Sequence, residues 1–462
     1  MIKMKTLLAC ATMLLIFCST LSSLGEKSAT GSILFNDKRW ARIFGDQDIT
    51  KRVYCPSFQP TGDGGYILLL NRYTLNPNTG EILLCKLDKY GRMKWIKKFD
   101  PPGDDFGTHI ERSVEGDGYV IVGITSSYGA GREDIWLIKV DENGNEIWNK
   151  TIGGKNDDEG KWIQQTTDGG YIIAGWTKSY GITKDQKGCG WVIKIDGEGN
   201  EIWNRTFKEG SCLILECITQ TDDGGYIAIG NYLDPDLRAQ GICVIKLDKY
   251  GNVKWKGTYI EENRFHKIYR IIQSRDGGYV VAGYKEGYGH DISWIFKLDK
   301  DGNTVWETTF DEEYPIRNFF HSIQQTKDGG YIAVGWCSWP KYEWIWRPLN
   351  PFYYFEGWMV KLDAEGKMKW KRIIRAPFMS LLFFDVKQTY DGGFVVAGAA
   401  SYTGPKPPEE SDSGIVIAYM DAFIMKTDNK GRTNPLQLKL SAFFRCLTYW
   451  GITHSGMSLS QS

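Results

Sequence analysis

Short apolar runs separated by glycine-rich turns recur from one end of the chain to the other. One unit is clearest between Asp168 and Trp203, reading D-G-G-Y-I-I-A-G-W-T, a variable loop, then G-W-V-I-K-I-D-G-E-G-N-E-I-W. Trp191, Ile193 and Ile195 fall on every second position, which is the period of a strand and not of a helix. The spacing predicts four strands per unit: A at about 161–166, B at 171–177, C at 190–196, and D carrying Trp203. D-G-G supplies the positive φ of a tight A–B hairpin. D-x-x-G closes the C–D hairpin, its Asp accepting backbone N–H bonds and its Gly taking the left-handed position.

Three markers count the units. The aromatic after the first turn is Tyr66, Tyr119, Tyr171, Tyr226, Tyr279, Tyr331 and Phe394, at intervals of 53, 52, 55, 53, 52 and 63 residues. K-x-D-x-x-G begins at Lys86, Lys139, Lys194, Lys246, Lys297, Lys361 and Lys426. The strand-D tryptophan follows in only six units, as Trp95, Trp148, Trp203, Trp255, Trp306 and Trp370. The missing one stands at the other end, Trp40, ahead of any complete unit. A period near fifty residues without helices predicts radially arranged blades. An open stack would leave bare strand edges. The expected fold is therefore all-β: a seven-bladed propeller of four-stranded antiparallel blades, closed by an N-terminal strand at 39–44 that completes the last blade.

These motifs resemble the tandem repeats of secreted or surface-attached prokaryotic β-propeller proteins, most of which lack an assigned biochemical role. The resemblance covers about Trp40 to Asn434. The C–D hairpin with its tryptophan is also similar to the tryptophan-docking motif of quinoprotein-type propellers, and more loosely to the Asp-box hairpin of sialidases. It implies a scaffold role for Trp40, Trp95, Trp148, Trp203, Trp255, Trp306 and Trp370, each indole packing on a neighbouring blade around the turn glycine. The cofactor features of a quinoprotein oxidoreductase do not map: no cysteines are adjacent, and the turn is D-x-x-G.

The ends of the chain set the expected compartment. Lys3 and Lys5 precede an apolar run from Leu7 to Phe17, too short for a membrane span, and Ser23-Leu24-Gly25 fits a cleavage site. We read 1–25 as a signal peptide, 26–38 as a linker, 39–434 as the propeller and 435–462 as a C-terminal extension. Phe17 is too bulky to favour lipid anchoring at Cys18. A secreted or cell-surface monomer without a transmembrane segment is expected. Lys plus Arg and Asp plus Glu both number 56, so nothing points to nucleic acid. The eight cysteines beyond the signal peptide do not recur at a fixed position and form no C-x-x-C. A mix of buried thiols and one or two disulfides is expected.

Function is expected on the variable D–A and B–C loops, since binding residues concentrate on loops held by a rigid scaffold. The sixth B–C loop, 338–356, inserts Trp339, Tyr342, Trp344, Trp346, Tyr353 and Tyr354. These read either as a stacking platform for an extracellular protein, peptide or glycan, or as a self-packed lid. Acidic residues recur in the D–A loops, notably Asp104, Asp157, Asp158, Glu261 and Asp311. They read either as turn caps or as a calcium site, calcium taking six to eight oxygen ligands. No other cofactor is implied. His109 and His321 both lie ten residues before the marker tyrosine, so they are expected at equivalent packed positions. No catalytic residue can be picked out; a glycan hydrolase or lyase using paired carboxylates on this face is the enzymatic alternative. Asn149 and Asn204 match the glycosylation acceptor and are expected on outer strands.

Overall fold

The computed structural model describes residues 39–44, 51–75, 78–113, 118–181, 187–262, 264–287, 290–311, 317–339, 354–376, 379–403 and 418–433. They belong to the unit Lys38–Ser462, separated by its internal contacts from Met1–Asp37. The insertion residues Tyr342, Trp344, Trp346 and Tyr353, the segment after Thr433 and the whole of 1–38 lie outside the described residues. Among the described residues no helix is long and apolar enough to cross a membrane.

The described strands form seven four-stranded antiparallel sheets. Two of these are joined into one eight-stranded sheet by a single parallel bridge, Asp291 to Arg317. In the third blade the strands are Asp158–Gln165, Tyr171–Thr177, Cys189–Ile195 and Glu201–Phe207. Strand A thus begins three residues before its predicted start, because a bulge at Lys161 breaks the alternation by which it was read. The last sheet runs in the order Trp40–Phe44, Ala418–Thr427, Phe394–Thr403, Met379–Gln388, with Trp40 paired to Lys426. The protein is a seven-bladed β-propeller.

Strand alternation explains the packing. Odd and even residues of a strand face opposite sides, so each blade buries both faces against two different neighbours. Ile173, Trp191, Ile193 and Ile195 pack with Val120, Val122 and Leu137 of the second blade. Ile172, Ala174 and Val192 pack with Leu213, Ala228 and Ile245 of the fourth. Seven such cores occur, one at each blade interface. One joins Cys55, Phe58 and Leu68 of the first blade to Val395, Ala397 and Ile424 of the last.

The tryptophans repeat the same arithmetic at the rim. Trp203 lies over Gly251 of the next blade, and Trp370 lies over Gly431. Trp40 lies over Gly91, where an added Cβ would meet the ring at 2.6 Å and where φ is +75°. Glycine is required there twice over, for the backbone angle and for the close approach. The Trp40 indole also donates to the Lys89 carbonyl at 3.2 Å. Asn149 and Asn204 lie on strands D, the first exposed and the second half-buried.

Two recurrent residues have roles the sequence reading missed. The lysine of K-x-D reaches the aspartate of D-G-G within its own blade: Lys86 to Asp63 at 2.9 Å, Lys194 to Asp168 at 3.0 Å, Lys246 to Asp223 at 2.9 Å. Each inner strand from the fourth blade onward ends in a glutamine that ties it to the previous blade. Gln220, Gln273, Gln325 and Gln388 accept from the backbone N–H of Thr167, Asp222, Arg275 and Lys327 at 2.8, 2.8, 3.0 and 2.8 Å. The seven described cysteines, Cys55, Cys85, Cys189, Cys212, Cys217, Cys243 and Cys337, are not joined by disulfides, so the expected bridges do not occur among the described residues. Apart from Cys212 all are buried, several of them within the blade cores.

Candidate functional site

Consecutive strands A lie side by side around the axis, so their side chains line a central channel. On the face of the A–B turns the channel opens through a hollow of about 410 Å³ bordered by Gln220, Gln273, Ser274 and Gln325. The wall changes character toward the D–A and B–C loop face.

A continuous arc of aromatic rings lies on one side of this upper wall. His321 is 4.3 Å from Tyr269 and 5.3 Å from Phe384, centroid to centroid. Phe384 meets Tyr54 edge-on at 6.4 Å, and Tyr54 meets Tyr73 at 6.1 Å. Behind His321, Trp336 donates its indole N–H to His321 Nε2 at 3.0 Å and packs against Phe319 at 4.4 Å and Phe355 at 4.6 Å. Burial, with the nearby charge of Lys267, holds His321 down at about 3, so its imidazole is a neutral acceptor. Tyr54, Tyr269, Trp336, Phe355 and Phe384 are half-buried, each keeping part of its surface accessible. Burial pushes the Tyr54 hydroxyl up to about 12.

Next to Tyr269, whose ring carries the Lys267 ammonium at 5.1 Å, the upper wall is charged. Lys161 is 2.5 Å from Glu159, and Lys267 is 4.0 Å from Glu216, which also accepts from Asn231 at 3.1 Å. Recognition can thus use ring faces and, beside them, hydrogen-bonding groups.

One residue further down each strand lies a second tier that no repeat motif signalled. The Arg270 guanidinium sits 3.6 Å above the Trp162 ring, whose plane stacks on His109 at 3.5 Å. His109 Nδ1 contacts the Ile163 carbonyl at 3.1 Å, and burial lowers its basicity well below the usual range. Asp385 accepts from Ser322 Oγ at 3.0 Å and from the Val386 N–H at 2.9 Å, with Lys387 3.8 Å away. Glu111 accepts from Gln59 at 2.9 Å. Burial raises the Glu111 carboxyl to about 7, against the opposing pull of Lys387 and Arg270, while Asp385 adds to the rise. Residues from the first, second, third, fifth, sixth and seventh blades meet here.

The two histidines are not at equivalent positions. Arg112 pairs with Tyr119 across seven residues, whereas Gln325 pairs with Tyr331 across six. The longer A–B turn of the second blade sets His109 level with Ser322 and leaves His321 on the bulge above.

The acidic candidates sit on separate connections. Asp158 is buried, taking the Gly154 N–H and Ser179 Oγ at 2.7 Å each and the Thr177 hydroxyl. Asp157 pairs with Lys178 at 2.6 Å. The Asp104 backbone N–H donates to Ser126 at 2.6 Å. Glu261 accepts from the Tyr259 hydroxyl at 2.8 Å, and Asp311 lies 2.6 Å from His290. Only Asp157 and Asp158 are neighbours. Among the described residues no three His, Cys, Asp or Glu side chains group so as to hold a metal ion. Of the aromatic insertion, the described part is its stem, where the backbones of Trp339 and Tyr354 pair.

No protein-family profile and no curated protein sequence matches the chain. Among solved structures it is similar to Sqt1 from Chaetomium thermophilum, with 11% identity, TM-score 0.45, and coverage of 83% of this chain and 99% of that one. It is similar also to the β-propeller domain of the Trilobed protease from Pyrococcus furiosus, with 11% identity, TM-score 0.42, and coverage of 84% and 97%. The polysaccharide lyase Uly1 aligns with 9% identity, TM-score 0.46, and coverage of 81% and 90%. Likenesses this distant carry no argument for function, which must come from the channel itself.

Proposed function

We propose that this is a secreted or cell-surface binding propeller that takes a glycan on its D–A and B–C loop face. The observation that carries this is the arc Tyr54–Phe384–His321–Tyr269 with Trp336 and Phe355 behind it, continued by the charged pairs Glu159–Lys161 and Glu216–Lys267. Sugar rings offer apolar faces for stacking and hydroxyls for hydrogen bonds, and the arc and the charged pairs supply one partner for each. The insertion between Trp339 and Tyr354 leaves from the same rim and would extend the aromatic surface. The tryptophans of strands D serve as docking residues of the scaffold and take no part in binding.

A glycan array probed with the full chain tests this, followed by titration calorimetry on the hits. Binding should weaken at least about tenfold in the double variant Trp336→Ala, Phe384→Ala. An array without hits, or a double variant with undiminished affinity, would remove the proposal. A glycan-cleaving reading draws on one observation, the two channel carboxylates Glu111 and Asp385. Release of new reducing or unsaturated ends from a bound glycan, abolished by Glu111→Gln, would establish it.

A further inference from the structure

We infer that the ligand is an acidic glycan, whose carboxylate is received by Arg270 in the tier beneath the aromatic arc. This rests on the glycan reading above and narrows it to one substrate class.

Arg270 follows Tyr269 directly in the inner strand of the fifth blade, so the cation lies one step below a ring of the arc. Its guanidinium carbon lies over the Trp162 ring, 3.6 Å from the centroid, and that ring is itself stacked on His109. A cation held over an indole is oriented by the ring but not neutralised by it. Among the described residues Arg270 Nε is buried without a hydrogen-bond partner. A buried N–H of a cation without a partner calls for an acceptor, and an anion is the strongest one. Of the two nearby carboxylates, Glu111 accepts from Gln59, and Asp385 accepts from Ser322 and the Val386 N–H at Oδ1, while its buried Oδ2, 3.8 Å from Lys387, has no hydrogen-bond partner.

The surroundings select the anion. Guanidinium matches a planar carboxylate edge to edge, in two parallel hydrogen bonds. A dianion would meet repulsion from Asp385 and Glu111, whereas a monoanion can share a proton with Glu111. That carboxyl, faced by Gln59, Lys387, Arg270 and Asp385, is raised by burial to about 7 and is largely protonated in mildly acidic solution. Acidic sugars join a stackable ring to a carboxylate, in the order in which the channel presents aromatics and then charge. A peptide C-terminus supplies the carboxylate, but its backbone gains little from ring faces and makes poor use of the charged pairs beside them.

The test compares, by calorimetry on the full chain, a hexuronic-acid trisaccharide, a neutral hexose trisaccharide and a tripeptide with a free C-terminus. The uronate should bind at least about tenfold tighter than the neutral sugar at pH 6, with the advantage shrinking toward pH 8 as Glu111 ionises. Arg270→Gln should erase the advantage and leave neutral-sugar binding in place. Glu111→Gln, a nearly isosteric change, should keep the advantage at pH 8. Equal affinity for acidic and neutral sugars in the unaltered protein overturns this inference and leaves the glycan reading standing. So does an advantage that survives in Arg270→Gln, or one with the same pH profile in Glu111→Gln. Tighter binding of the tripeptide than of either sugar, or no sugar binding at all, overturns both.

Discussion

The two ends of the inner strands obey different rules. At the A–B turn end one residue type is used again and again: Gln165, Gln220, Gln273, Gln325 and Gln388 close five successive strands A. Six residues earlier on the same strands stand Glu159, Ile214, Lys267, Phe319 and Leu382, no two of them alike. The same backbone runs through both ends, so strand geometry cannot account for the contrast. From the fourth blade onward the glutamine end meets the same kind of partner, a backbone N–H in the turn of the previous blade, and one good bond suits each of these positions. The opposite end meets the axis, where each position sees something different. Repetition marks assembly, and its breakdown marks the surface on which recognition can be built.

Breaking the repetitive part should cost stability and spare binding. The largest effect is expected at Trp40, the strand-D tryptophan buried to 3% exposure and packed in the core that joins first and last blades. Trp40→Ala should destabilise the fold by about 3–5 kcal/mol, read as the midpoint of denaturant unfolding. Trp203 is only half-buried, so its truncation should cost less, about 2 kcal/mol. If the two variants unfold at the same midpoint, the seventh interface is no more dependent on its indole than the others.

How much of this was legible follows the same division. Turn chemistry is local, so D-G-G and D-x-x-G could be read from neighbours in sequence, and counting them gave the blades and the displaced strand at Trp40. Lys194 and Gln220 repeat just as regularly, yet their partners lie 26 and 53 residues away, beyond what a local pattern can reveal. The channel tier was invisible for a stronger reason. Arg270, Trp162, His109 and Asp385 occupy one register on four strands, but four different residue types at one register leave no pattern to find. The false equivalence of His109 and His321 shows the limit of counting: one longer turn, in the second blade, moves everything upstream by a position.

Changes at the varied end should do the reverse, costing affinity and sparing the fold. Phe384→Ala alone should weaken glycan binding by about fivefold, close to 1 kcal/mol, as a ring lost from the middle of the arc. Gln273→Leu sits at the other extreme. It leaves the Asp222 N–H without its acceptor in an exposed turn, where water replaces it, so about 0.5–1 kcal/mol of stability should go and binding should not change. A loss of binding in Gln273→Leu would mean that the turn end takes part in recognition.

Electrostatic effects separate the two ends by the direction in which pH acts. At the turn end, burial pushes the Asp63 carboxyl up, but hydrogen bonds from Thr61, Lys86 and the Gly65 N–H, with the charge of Lys86, bring it down to about 2. Burial likewise acts on Asp391, and Lys426 and Thr389 outweigh it to give about 2. Both groups are lower than the roughly 3.9 of an unfolded chain, so their contribution is present above about pH 4 and is lost as pH falls toward 2. Asp63 is 59% exposed, and screening keeps its share small. In the channel Glu111 runs the other way. Its value of about 7 exceeds the roughly 4.3 of an unfolded glutamate, so its contribution is complete below about pH 4 and is lost as pH rises through 7. Melting temperature measured from pH 2 to 8 should therefore fall on both sides of a maximum near pH 4–5. Asp63→Asn should lower the maximum and flatten the acid limb, while Glu111→Gln should flatten the limb above pH 5 and leave the acid limb alone. If Glu111→Gln leaves both limbs unchanged, the Glu111 carboxyl titrates as an ordinary surface acid, and the channel tier is wetter than its packing implies.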